Sequence, residues 1–205
     1  MSEAKRYERD DLQTALRVLR QGGIILYPTD TIWGIGCDAT NEEAVQRIYR
    51  LKQRADSKSM LVLLDGAGKL QGYVDEIPET ADMLLDATDP NYRDARPEAE
   101  QRPLTIIYPG AKNIAPSLIA EDGSIGIRIT SEPFTRALCE QLHRPIVSTS
   151  ANISGQPAAK IFREIADEIK QGVDYVCHFR QDDETPHKPS AIIKVKKDNT
   201  FEVIR

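Results

Sequence analysis

Four short polar segments, each set beside an apolar run, hold the residues whose types could do chemistry. In open α/β sheets, ligands gather beyond strand ends, so this placement is informative. The first segment, Tyr27-Pro28-Thr29-Asp30-Thr31, offers two hydroxyls and a carboxylate just ahead of Gly34 and Gly36. Thr and Asp in such a turn either bond their own backbone or face a ligand. The second carries Lys52, Arg54 and Lys58, and the stretch 44–60 holds five basic residues against one acid, a local +4. Cations at a helix end complement its dipole, but several in an irregular segment can also converge on one anion. The third, Ser124-Ile125-Gly126-Ile127-Arg128, sets an arginine between Ile127 and Ile129. Burying it unpaired is expensive, so Arg128 either faces solvent or has an anionic partner. The fourth, Ser148-Thr149-Ser150-Ala151-Asn152-Ile153-Ser154-Gly155, has four hydroxyls, an amide and a glycine in eight residues. Such a donor-rich loop can hold a phosphate or a ribose.

Other chemistries lack their residues. His143, His178 and His187 lie outside these motifs, so no Ser-His-Asp arrangement is indicated, and neither GxxxxGK[ST] nor GxGxxG occurs. Cys37, Cys139 and Cys177 form no CxxC pair and read as buried small apolar side chains rather than zinc ligands.

The elements that must position these segments follow from periodicity. Asp10 or Asp11 can cap a helix with apolar positions Leu12, Ala15, Leu16, Val18 and Leu19, stopped by Gly22-Gly23. Strands are predicted over 24–27 and, after the polar turn, in extended form over 32–37. Asn41 opens a second helix with the stripe Ala44, Val45, Ile48, Tyr49 and Leu51, and a strand follows at 60–64. A helix at 78–87, strands at 104–108 and 124–129, a helix at 132–142 and a strand at 145–147 continue the alternation. Residues 148–157 read as a loop, 161–170 as a helix and 174–179 as a strand. The pair 191–195 and 200–204 flanks a Lys197-Asp198-Asn199 turn and reads as a hairpin. Alternating strands and helices with a closing hairpin predict an α/β fold around a mixed sheet.

With 205 residues, the chain suits one domain spanning 1–205, in which 88–101 forms an acidic surface excursion. The 27 Lys and Arg against 32 Asp and Glu give a net −5, which excludes a polycation built to coat nucleic acid. Apolar runs such as 24–27 and 61–64 are far too short to span a membrane, and the first residues contain no apolar signal core. No membrane association and a cytoplasmic location are therefore expected.

Taken together, PTDTIWGIG, the KQR segment, SIGIRI, STSANISG and Ser190 followed by Ala191-Ile192-Ile193, with Arg205 last, resemble the YrdC-like family of threonylcarbamoyl-AMP synthases from about Leu12 onward. The resemblance implies a twisted mixed sheet with flanking helices around a large concave cavity that takes ATP, L-threonine and bicarbonate. It implies the products threonylcarbamoyl-AMP and pyrophosphate, the former passed by a separate transferase complex to adenosine 37 of tRNA. Matching positions assign Thr31, Arg128, Ser148 and Ser190 to threonine. They assign Arg54, Lys58, Ser124, Ser150, Asn152, Ala158 and Arg205 to ATP, with Lys52 and Arg54 as the catalytic pair facing the developing phosphate charge. Mg2+ would arrive with ATP, and no protein metal site is implied. Two further readings of the same basic cavity stay open. One is a YciO-like paralogue acting on another small molecule, and the other is a module that binds double-stranded RNA or tRNA.

Overall fold

The computed structural model describes residues 7–54, 60–88, 103–187 and 189–205. Lys58 and most of the acidic stretch 88–101 therefore lie outside the described residues.

Helix α1 (Arg9–Arg20) buries Leu12, Ala15, Leu16 and Leu19 of the predicted stripe and leaves Val18 partly exposed. It starts earlier than expected, with Glu8 at the N-cap and Asp10 and Asp11 inside the first turn rather than capping it, and Gly22 stops it at φ +77°. Strands β1 (Ile25–Tyr27) and β2 (Gly34–Gly36) follow, then α2 (Glu42–Leu51), where the Asn41 side chain accepts a bond from the Ala44 N–H at 3.1 Å. Such a cap satisfies a donor that helix geometry leaves without a partner. Next come β3 (Leu61–Leu64), α3 (Glu79–Thr88), β4 (Leu104–Tyr108) and β5 (Ile125–Ile129). Helix α4 (Pro133–Leu142) is capped by Glu132 and closed by His143 at φ +59°. The chain finishes with β6 (Ile146–Ser150), a short α5 (Asp167–Gly172), β7 (Tyr175–Val176), β8 (Ala191–Val195) and β9 (Phe201–Val203).

The strands form one mixed sheet in the order β7-β1-β2-β6-β3-β5-β4-β8-β9. Three pairings are parallel (β1 with β7, β3 with β5, β4 with β8) and five are antiparallel, the β8–β9 hairpin among them. Alternate residues of a strand point to opposite faces. Accordingly Ile25, Tyr27, Leu63 and Ile146 pack with α1 and α4, whereas Leu26, Val62, Leu64 and Val147 pack with α2 on the other side. No helix among the described residues is long and apolar enough to cross a membrane.

Three expectations need correcting. Residues 148–150 are strand, not loop, because Ser148 pairs with Leu61 while Thr149 and Ser150 pair with Ile35 and Gly34. The helix expected over 161–170 breaks into a 3-10 turn (Phe162–Glu164) and α5. Its four-residue spacing of Ile161, Ile165 and Ile169 is buried by a broken path: Ile161 and Ile165 are both extended, and the Phe162 ring packs on Trp33 with centroids 4.8 Å apart. The segments 32–37 and 174–179 form strand only over Gly34–Gly36 and Tyr175–Val176.

Candidate active site

The sheet face that carries α1 and α4 is uncovered over β2, β6, β5, β4 and β8, and a cavity of about 360 Å³ opens there. Period-two alternation builds its floor: Ser148 and Ser150 from β6, Gly126 and Arg128 from β5, Thr105 and Ile107 from β4. Gly126 keeps the floor low, since a Cβ there would press to 3.3 Å from Leu61 Cβ. Thr31, Ser124, Ala158, Ser190, Arg54 and Arg205 also line it, so nine of the twelve residues singled out by resemblance line its wall. Asn152 lies just behind that wall, as does Lys52, while Lys58 is outside the described residues.

Arg54, Arg128 and Arg205 bring three guanidinium groups to this wall, and no carboxylate lines it among the described residues. Such a wall attracts a polyanion. The alternatives left open for Arg128 resolve here. Its side chain is 3% exposed and ion-paired with Asp30, Nη2 to Oδ1 at 3.1 Å, while Asp30 Oδ2 accepts the Ser131 N–H at 3.3 Å. Arg128 Nε is buried with no hydrogen-bond partner among the described residues, so the guanidinium keeps donor capacity for an incoming carboxylate. Sequence reasoning placed Asp30 in the first turn without naming it as that partner. A carboxylate one residue from a cavity hydroxyl, with a buried arginine elsewhere, was the available signal.

Hydroxyl hydrogens are largely committed. Thr29 Oγ1 donates to the Ile32 carbonyl at 2.7 Å and accepts the Thr31 N–H at 3.0 Å. A hydroxyl has one hydrogen, so the 3.0 Å contact between the two threonine hydroxyls must run from Thr31 to Thr29. Thr31 therefore turns its lone pairs outward, ready to accept from an amine. Ser124 similarly donates to Asp122 at 2.5 Å, and Asp122 is ion-paired with Lys194. Those two bonds hold the Asp122 carboxyl down at about 2. Thr105 and Ser190 share a hydroxyl bond of 2.9 Å, and Arg205 Nε donates to the Ser190 carbonyl at 3.1 Å. Thr105 was not singled out by sequence reasoning, although a hydroxyl inside the apolar run LTIIY marks one face of that strand.

Lys52 caps the end of α2 and is 1% exposed. Its Nζ donates to the Ser150 carbonyl and, at 2.7 Å, to that of Asn152, while its own carbonyl accepts the Ser154 N–H at 2.8 Å. Lys52 thus shapes the 150–154 loop from beneath. Burial, with the Arg54 charge adding to it, pulls its ammonium down to about 7. Asn152 holds the far side of the same loop, its amide donating to the Ile153 and Gln156 carbonyls at 3.0 and 2.7 Å.

The fold and site define a class, an open mixed α/β sheet with an arginine-lined cavity that no carboxylate side chain lines among the described residues, and the comparisons narrow it. The model of the Sua5_yciO_yrdC family, described as telomere recombination, matches residues 17–205, and the chain belongs to that family. It is 33% identical over 168 residues to the threonylcarbamoyl-AMP synthase of Pseudoalteromonas translucida, covering 82% of this chain and 85% of that one. The threonylcarbamoyl-AMP synthase of Moraxella catarrhalis is 36% identical over 158 residues, 74% of this chain and 76% of its own. Among solved structures, E. coli YciO superposes with a TM-score of 0.80 at 27% identity, over 98% of this chain and 91% of that one. P. abyssi Sua5 complexed with L-threonine shares the fold, with a TM-score of 0.77 at 23% identity over 93% of this chain, which spans just over half (52%) of that protein.

Proposed function

We propose that the chain is an L-threonylcarbamoyladenylate synthase, a nucleotidyltransferase that joins L-threonine, bicarbonate or CO2, and ATP into threonylcarbamoyl-AMP and releases pyrophosphate. The observation that carries this is the cavity itself: three arginines, no acidic side chain on the wall among the described residues, and at one end Arg128 with an unspent donor beside the outward lone pairs of Thr31. The identity to named synthases over most of the chain supports it.

Arg128 takes the threonine carboxylate, and Thr31, with Ser148 and Ser190 nearby, orients the amine and side chain. The free amine attacks CO2, forming an N–C bond and, on loss of a proton, a carbamate. A carbamate oxygen then forms a bond to the α-phosphorus of ATP while the bond to the β-phosphate oxygen breaks, and pyrophosphate leaves with that electron pair. Neither step needs a protein nucleophile. Positioning and fixed cations suffice. Arg54 and Arg205, with Ser124, Ser150 and the backbone at Ala158, hold the nucleotide, while Lys52 and Asn152 fix the loop beneath it. Mg2+ suits a wall of hydroxyls and arginines only as a companion of the triphosphate, whose oxygens would carry it and whose charge it would offset.

The product would pass to a tRNA threonylcarbamoyl-transferase complex for N6-threonylcarbamoyladenosine synthesis, in the cytoplasm, where three free buried thiols are at home. Direct contact with tRNA or double-stranded RNA is a weaker, salt-sensitive expectation. Purified protein given ATP, bicarbonate and threonine should release pyrophosphate and form threonylcarbamoyl-AMP, and pyrophosphate release indifferent to threonine would overturn the assignment. The likeness to E. coli YciO favours a second reading, another small-molecule acceptor. ATP binding without threonine binding would select it.

A further inference from the structure

Residues 180–187 lie between β7 and β8, and this segment touches the turn that carries Thr31. Arg180 is the contact. It sits at φ +63°, a conformation that costs a non-glycine residue on the order of 1 kcal/mol, and such strain persists only where surrounding bonds hold it. Its Nη1 donates to the Thr29 carbonyl at 3.0 Å, while Nε and Nη2 both donate to Asp183 Oδ2 at 3.0 and 2.9 Å. Nη2 also lies 2.6 Å from His187 Nε2. A guanidinium cannot accept, so Nε2 is the acceptor and carries no proton. The 3.4 Å approach of Nε2 to Asp183 Oδ2 is then a contact between two acceptors, not a bond. Asp183 Oδ1 accepts the Thr185 N–H at 3.0 Å, folding the loop around the arginine.

The two ends of this tie, Thr29 and His187, do not line the cavity but each stands within three residues of one that does, Thr31 and Ser190. Thr29 holds Thr31 through its hydroxyl, and His187 stands three residues before Ser190, whose hydroxyl meets Thr105. Arg180 itself does not line the cavity.

We propose that Arg180, with His187 as its acceptor, is a positioning residue that sets the distance between the Thr31 and Ser190 walls and thereby the enzyme's affinity for its amino acid. This rests on the threonine site proposed above. Arg180→Ala should raise the KM for threonine about tenfold, the cost of its four bonds largely replaced by water, with kcat and the ATP Kd within about twofold of the unaltered protein. His187→Gln keeps an acceptor for Nη2 and should hold the threonine KM within about twofold. His187→Lys sets a cation against Arg180 and should behave like Arg180→Ala. Equal losses in threonine KM, ATP Kd and kcat, or no loss, would overturn the proposal. Amide hydrogen exchange decides it independently of turnover. In Arg180→Ala the amides of Thr31 and of residues 190–192 should exchange faster together while those of α4 do not. Faster exchange at one wall alone would break the tie, and a protein that never turns over threonine would refute the functional reading without touching this result.

Discussion

Arg128 and Asp30 are the pair on which amino-acid recognition turns. Arg128→Ala should weaken threonine binding by about 2–4 kcal/mol, the range for a buried charge-assisted contact, and leave ATP affinity nearly intact. Calorimetric titration of each ligand checks this. Asp30→Ala leaves the arginine buried without a counter-ion, which should cost about 3 kcal/mol of stability in urea unfolding. Lys52 is a different case, since its ammonium is held at about 7 by burial and the Arg54 charge. At pH 8 much of it is neutral, and an arriving triphosphate favours the charged form, so ATP binding should take up protons. Phosphate is already fully ionised at that pH. Titrations in buffers of differing ionisation enthalpy should show the uptake, and Lys52→Met should abolish it. Both residues were legible as chemically interesting, Arg128 because a cation inside SIGIRI demands an explanation. Their partners were not, because Asp30 is separated from Arg128 by 98 positions and the carbonyls that Lys52 binds are backbone atoms that no side-chain pattern reports.

At the scale of elements, β2 shows how backbone economy shapes the site. Gly34 and Gly36 carry no side chains, so the Tyr27 ring lies across β2 and its hydroxyl donates to the Val147 carbonyl on β6 at 2.9 Å. A Cβ on Gly36 would fall 2.4 Å from that carbonyl and 2.6 Å from the tyrosine ring. Gly36→Ala should therefore cost about 2 kcal/mol or more in thermal unfolding and weaken ATP binding as Ser150 shifts with its strand. Gly68→Ala, where a Cβ meets nothing within 4 Å, is the neutral comparison. Helix α2 was legible because cap and periodicity agree there, and α1, α4 and the β8–β9 hairpin from pattern alone, the α1 cap expected at Asp10 or Asp11 being replaced by Glu8. The polar stretch 148–150 was not, since membership of β6 depends on pairing with β2 and β3, remote in sequence. The expected helix over 161–170 failed for a related reason, since Ile161 and Ile165 are buried from extended backbone while Phe162 between them packs on Trp33, remote in sequence.

Over the whole molecule the charge is uneven: a net −5 chain keeps nine acids against two arginines in 75–100 while its cavity wall carries three arginines and no acid among the described residues. Exposed charges are screened within about 8–10 Å at physiological salt, and buried pairs much less. Raising NaCl from about 0.05 to 0.5 M should thus weaken ATP binding roughly tenfold while changing threonine affinity, set by the buried Arg128, less than about twofold. Equal sensitivity in isothermal titrations would count against that division of the cavity.

Cys37, Cys139 and Cys177 are all free and at most 1% exposed, and burial raises each thiol above its ordinary range. They stand beside β2, within α4 and just past β7, three separate parts of the architecture. Alkylation requires an exposed thiolate, so each sulfur should react only when its own region opens. The chain thus carries three built-in chemical clocks. Mass spectrometry after timed iodoacetamide exposure should show Cys177, next to the sheet edge, labelled before Cys139, with bound ATP and threonine slowing all three.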